Sequence, residues 1–204
     1  MQNLKNYWAY LEKFRAENQL LKMQFDQNRI VFIGDSIIEG WKNHSFFKEN
    51  AHYINRGIGG QTSSQILVRF TADAIQLQPK CIVVLVGTND IAENQGPISL
   101  KKIQHNFLSM IAIAKLRKIK IVLCSILPVA SYYWNPKIQP LEKIKFLNTF
   151  LATLADEKMV FFVDFYTSLE QNTSMNPTFS KDGVHPNLEG YTIMSSIISN
   201  SNYL

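Results

Sequence analysis

The chain has 204 residues, 46% of them hydrophobic, with 9 Gly and 7 Pro; this excludes a disordered or fibrous chain and suits one globular domain over residues 1–204. The formal net charge of +5 is scattered, and its densest cluster, Lys115, Arg117, Lys118 and Lys120, falls where a helix should end and favour cations, so no nucleic-acid-binding stripe is expected. Cys81 and Cys124 sit inside apolar runs, where a free thiol behaves as a small buried hydrophobe, and two such residues make no disulfide framework.

In chain order, Leu4, Tyr7, Trp8, Leu11 and Phe14 recur at spacings of three and four, which predicts an amphipathic N-terminal helix within residues 1–25, packed on the domain or touching a membrane surface. Lys5, Glu12, Lys13, Arg15 and Glu17 interrupt any signal peptide or integral span there, so a cytoplasmic location is expected. Strands are predicted at Ile30–Ile33, Tyr53–Asn55, Ile82–Val86, Ile121–Cys124 and Val160–Val163, all β-branched or aromatic in character. Helical periods occupy Ser63–Leu77, Ile98–Leu116, Leu141–Asp156 and Leu188–Ile198. Strands joined by such helices imply a three-layer α/β/α sandwich around a parallel sheet of about five strands. The segment Ser131–Pro140 is a long loop carrying Tyr132, Tyr133 and Trp134, which either wall a site or cover a core edge.

Sites in an open parallel sheet form beyond the carboxyl ends of the strands, and four such places are polar here. Gly34-Asp35-Ser36 follows the first strand; glycine permits a sharp turn and Ser36 either caps the next helix or presents a nucleophile. The second strand leads into Gly57-Ile58-Gly59-Gly60-Gln61-Thr62, which lacks the third glycine of a dinucleotide fingerprint because Thr62 stands there. Its main-chain N–H groups remain suited to an oxyanion. After the third strand, Gly87-Thr88-Asn89-Asp90 offers an amide donor in Asn89. Near the C-terminus, Asp182-Gly183-Val184-His185-Pro186 places a carboxylate three residues before an imidazole, the pair a nucleophilic serine needs as base and orienting acceptor. His44, His52 and His105 read as surface or packing residues, and no second His accompanies His185 at metal-ligand spacing.

Together these blocks resemble the SGNH hydrolase superfamily, the GDSL-like lipases and esterases, over nearly the whole chain, with Ile37 where a Leu is usual. The resemblance implies a flavodoxin-like fold and a serine ester hydrolase. Ser36 would be the nucleophile, His185 the general base and Asp182 its orienting partner. Oxyanion donors would be the Ser36 N–H, the Asn89 amide and Gly60, with neighbouring Gly59 the alternative to Gly60. Gly57 and Gly59 would be conformational requirements, Asp35 and Asp90 would brace the loops, and Arg56 would face either pocket or surface. The resemblance is nearest to small acetylhydrolases of the platelet-activating-factor type and to carbohydrate acetylesterases, implying small acyl groups, no metal or organic cofactor, a small-molecule ester substrate, and compatibility with a homodimer. Two other readings stand beside it. A metal-dependent phosphoesterase would need further His and Asp ligands that this sequence lacks. A non-catalytic binding module on the same fold remains the third. The α/β-hydrolase elbow G-x-S-x-G is absent, since Ile38 occupies its second glycine position.

Overall fold

A computed structural model describes residues 8–204. Five parallel strands run in the order β2-β1-β3-β4-β5: β1 (Ile30–Gly34), β2 (Tyr53–Gly57), β3 (Cys81–Leu85), β4 (Lys120–Cys124) and β5 (Val160–Val163). The register is continuous, pairing Ile33 with Arg56 on one side and with Val84 on the other. β1 and β3 are apolar at nearly every position because both faces of the sheet are covered. Val31, Ile33, Ile82 and Val84 point into one core, while Phe32, Val83 and Leu85 point into the other.

The first core lies under α4 (Ser63–Asp73), α6 (Leu100–Leu116) and α7 (Leu141–Thr153), through Ile66, Phe70, Phe107, Met110, Ile144 and Leu147. The second gathers Ile37, Ile38 and Trp41 of α2 (Ser36–Trp41), Phe46 and Phe47 of α3 (Ser45–Lys48) and Tyr191, Met194 and Ile198 of α9 (Leu188–Asn200). The three-layer α/β/α sandwich predicted from the sequence is therefore the observed architecture. Between these elements lie α5 (Thr88–Ile91), α8 (Tyr166–Leu169) and a hairpin of β6 (Glu170–Gln171) with β7 (Ser174–Met175). Because β2 and β3 flank β1 on opposite sides, the chain switches direction at β1, and the crevice beyond the ends of β1 and β3 is where a ligand site is expected.

At the N-terminus the structure departs from the predicted helix. Leu4 and Tyr7 lie outside the described residues; residues 8–14 form successive turns, and α1 begins only at Arg15 and ends at Met23. Tertiary bonds have won over helix formation. The Ala9 carbonyl accepts from Gln61 Nε2 at 3.0 Å and the Trp8 carbonyl from Gln65 Nε2, and Tyr10 sits at φ +53°, which an α-helix cannot contain. Segment 8–14 is thus a strap laid across the glycine-rich loop. Among the described residues no helix is long and apolar enough to cross a membrane.

Candidate active site

The turn after β1 divides the two roles the sequence left open between Asp35 and Ser36. Asp35 is the N-cap of α2, its Oδ1 accepting from the Ile37 N–H at 3.0 Å, so Ser36 enters the helix as its first residue with its hydroxyl uncommitted to capping. Ser36 Oγ lies 3.0 Å from Nε2 of His185, a residue 149 positions away. On the other side of the ring, His185 Nδ1 is 2.7 Å from Asp182 Oδ2. The Asp182 Oδ1 atom accepts from the N–H groups of His185 and Val184 at 2.8 and 2.9 Å, and from Ser180 Oγ at 3.1 Å. Burial pushes this carboxyl up, but the bonds from His185 and Val184 outweigh it and hold Asp182 down at about 2. Asp182 therefore stays ionised at neutral pH, and an ionised acceptor at Nδ1 keeps the proton on that nitrogen and leaves Nε2 free to accept from Ser36.

The glycine loop closes over the other side of Ser36. Gly59 donates its N–H to Glu39 Oε2 at 2.8 Å, whereas the Gly60 N–H has no partner among the described residues and Gly60 takes φ +76°. Gly60 therefore supplies both the turn and the available donor. Glu39, one helical turn after Ser36, also receives Lys13 Nζ of the strap at 2.6 Å. Asn89, nearly fully buried, donates from Nδ2 to the Gln61 carbonyl at 3.1 Å and to Asp35 Oδ2 at 3.3 Å, which sets its amide between the glycine loop and the residue preceding Ser36. The N–H of Ser36 belongs to the first turn of α2, where no intrahelical acceptor exists.

Two buried carboxyls brace these loops. Desolvation lifts Asp35 to about 7, against the pull of the Ile37 N–H. Desolvation also lifts Asp90 to about 6, although it accepts from the Ser63 N–H at 2.7 Å and Ser63 Oγ at 2.5 Å and so holds the start of α4.

A cavity of about 440 Å³ opens beside Gly59 and Gly60, walled by Tyr10, Gln61, Asn94, Gln95, Trp134 and Asn135. The aromatic loop thus splits its roles: Trp134 walls the cavity, Tyr132 is fully buried in the core, and Tyr133 stands exposed. Arg56 faces neither pocket nor surface. It is buried, with Nε and Nη2 on Asn18 Oδ1 at 3.0 and 2.8 Å and its guanidinium over the Phe14 ring. Of the histidines read as surface or packing residues, His52 pairs with Asp26 at 2.9 Å, and His44 packs against Thr192 at 3.1 Å.

Sequence reasoning missed Glu39, Asn94 and Arg69. Arg69 is fully buried and ties the site's floor together, donating to Gln61 Oε1 at 2.6 Å, to the Arg56 carbonyl at 2.8 Å and to the Gly34 carbonyl at 3.0 Å. A signal for it existed: Ile66, Arg69, Phe70 and Asp73 fall on one helical stripe, and an i,i+4 Arg–Asp pair on an apolar stripe marks a buried network.

With this geometry in view, comparison with known proteins gives a family. Residues 32–193 match the model of the GDSL-like lipase/acylhydrolase family. The chain belongs to that family. Among solved structures, a Bacteroides fragilis protein described as a candidate acylhydrolase shares 43% identity at a TM-score of 0.88, over 95% of this chain and 96% of that one. A GDSL-like lipase from Bacteroides thetaiotaomicron shares 39% at the same TM-score, over 95% and 97%. The alpha2 subunit of rat platelet-activating factor acetylhydrolase IB is 35% identical over 65 residues, 30% of this chain and 28% of that one. The stretches matched in this and a Bacillus subtilis lipoprotein make up only 28% and 34% of those proteins.

Proposed function

We propose that this GDSL-family chain hydrolyses carboxylic esters, removing small acyl groups, acetyl foremost, from a carbohydrate or lipid ester through an acyl-enzyme on Ser36. The observation that carries the reading is the chain of contacts from Ser36 Oγ to His185 Nε2 at 3.0 Å and from His185 Nδ1 to Asp182 Oδ2 at 2.7 Å.

In this reading His185 Nε2 takes the Ser36 proton as Oγ attacks the ester carbonyl, and ionised Asp182 stabilises the imidazolium that forms. The oxyanion is met by the N–H groups of Ser36 and Gly60 and by Asn89 Nδ2. Of the two bonds Asn89 Nδ2 makes, the 3.3 Å one to Asp35 is the weaker and is the one the oxyanion takes over. Collapse of the tetrahedral intermediate transfers the proton from His185 to the departing alcohol. Water, activated by the same imidazole, then attacks the acyl-enzyme and releases the acid.

Two features support a small acyl group on a polar alcohol. The cavity beside Gly60 is walled mainly by amides with two aromatic faces, a lining that holds hydroxyls and a sugar ring better than an alkyl chain. The stretch of likeness to an acetylhydrolase subunit points to acetyl.

The test is labelling with a serine-directed fluorophosphonate together with hydrolysis of p-nitrophenyl acetate in the presence of a chelator. Labelling confined to Ser36, activity unaffected by chelator, and loss of about 10³-fold or more in kcat for Ser36→Ala are expected. Full activity in Ser36→Ala would overturn the reading, and loss of activity on chelation would favour a metal-dependent phosphoesterase. Preference for long over short p-nitrophenyl esters would remove the acetyl assignment alone.

A further inference from the structure

An asparagine amide can be turned end for end with almost no change of shape, so whether it offers N–H or oxygen to a given point is decided by its neighbours. For Asn89 this is decisive, because an oxyanion is stabilised by Nδ2 and repelled by Oδ1. On its far side Asn89 Oδ1 accepts from Asn94 Nδ2 at 2.6 Å. Asn94 Oδ1 in turn accepts from the Trp134 indole Nε1 at 2.8 Å. An indole can only donate. Its N–H therefore fixes the oxygen of Asn94 toward itself, which turns the Asn94 amino group toward Asn89, which turns the Asn89 amino group toward Gln61 and Asp35 beside Ser36.

We propose that Asn94 is a positioning residue for the Asn89 amide: the Gln61 carbonyl, which can only accept, fixes the sense of that amide from one end, and the donor-only indole of Trp134, acting through Asn94, holds the same sense from the other. The inference rests on the reading that Asn89 donates to the oxyanion. A main-chain bond from the Asn94 N–H to the Asn89 carbonyl at 3.0 Å holds the two residues at a fixed separation, so the side-chain relay is short and stiff. Polarity also passes along it: each bond in a donor–acceptor chain strengthens the next, and the Asn89 N–H facing the reacting oxygen becomes the better donor. The relay's outer members, Asn94 and Trp134, line the cavity beside Gly60 and are partly open to water. Substrate filling that cavity excludes the water that competes with the Trp134 bond, so the relay tightens when the site is occupied.

The gain belongs to the transition state, where charge develops, and not to ground-state binding. Asn94→Asp keeps the size and the acceptor for Trp134 but removes the donor to Asn89. The expected result with p-nitrophenyl acetate is a fall of about tenfold in kcat, the size of one net hydrogen bond, with KM changed less than twofold. In an Asn89→Ala background the same substitution is expected to cost nothing further, since no amide remains to be oriented. Asn94→Gln, a donor on a longer arm, should recover part of the loss. Should Asn94→Asp fail to fold, Trp134→Phe carries the test through a double-mutant cycle with Asn89→Ala: the fall in kcat is expected to be larger in the parent than in the Asn89→Ala background, and equal falls overturn the proposal.

An unchanged kcat in Asn94→Asp, or an equal loss with and without Asn89, overturns the proposal. These outcomes separate from failure of the underlying reading. If Asn89→Ala itself keeps full turnover, Asn89 is no oxyanion donor and both fall together; if Asn89→Ala is crippled while Asn94→Asp is not, the relay alone fails.

Discussion

Asn89 carries no apolar duty: its Nδ2 and Oδ1 are all engaged in hydrogen bonds, and the helix it belongs to, α5, is a single turn. Replacing it by Ala removes the amide proposed as an oxyanion donor without opening a large void, and the expected loss in kcat is about 10²- to 10³-fold. Steady-state kinetics alongside circular dichroism check this; a variant with native ellipticity and unchanged turnover removes Asn89 from the mechanism. That Ser36, Asp182 and His185 meet was legible at this scale, because each sits in a short block whose residue types suit the chemistry proposed for them. Which of the two glycine N–H groups is engaged could be told only from structure, since the partner of the Gly59 N–H, Glu39, lies 20 positions away in a helix that reads as ordinary amphipathic sequence. Asn94 was hidden for a similar reason. Its meaning lies in Trp134, 40 positions downstream, and an Asn in a turn looks no different when it relays a hydrogen bond.

The elements that carry the site were legible wherever burial was two-sided or strongly periodic. All five strands and the helices α4, α6, α7 and α9 fall where apolar runs and helical periods place them, within a few residues. The N-terminal segment misled because aromatic spacing of three and four also serves a strap whose backbone carbonyls are claimed by Gln61 and Gln65. Short α3 went unread, being a single turn, and α2 was expected only as the helix beginning at Ser36, without an end; α2 is the element that presents Ser36. Its seat depends on one close approach. A Cβ at Gly57, the last residue of β2, would lie 2.1 Å from the Glu39 backbone nitrogen, so α2 packs on the end of β2 only because that side chain is absent. Gly57→Ala is expected to push α2 outward, destabilising the fold by about 1–3 kcal/mol and lowering kcat with it, because Ser36 and the Gly59–Glu39 contact move together. Chemical denaturation and p-nitrophenyl acetate turnover measured on the same preparation test this; retention of both refutes the packing argument.

Across the molecule, the groups gathered at the strand ends make stability depend on pH in a direction that can be worked out. Asp35 and Asp90 are held by burial at about 7 and about 6, above the ordinary carboxylate value of 3.8 that their unfolded forms have. Between pH 4 and pH 7 the folded chain thus binds more protons than the unfolded chain at these two sites, and the slope of stability with pH is negative there. Asp182 has the opposite sign: held at about 2, it contributes stability that is complete above about pH 4 and disappears as pH falls toward 2. These three carboxyls together therefore favour the folded state most near about pH 3.5, and progressively less as pH rises from there toward 7, where Asp90 and then Asp35 are forced to ionise without water around them. Thermal unfolding at pH 5 and pH 8 should give a lower midpoint at pH 8, by at least about 2–4 °C for a chain of this size if the difference is about 1 kcal/mol. Asp35→Asn, which cannot ionise, should narrow that gap even though its amide fits Asn89 less well and lowers the midpoint at both pH values. A midpoint that rises from pH 5 to pH 8, or a gap untouched by Asp35→Asn, would show that these buried carboxyls do not govern how the fold responds to pH.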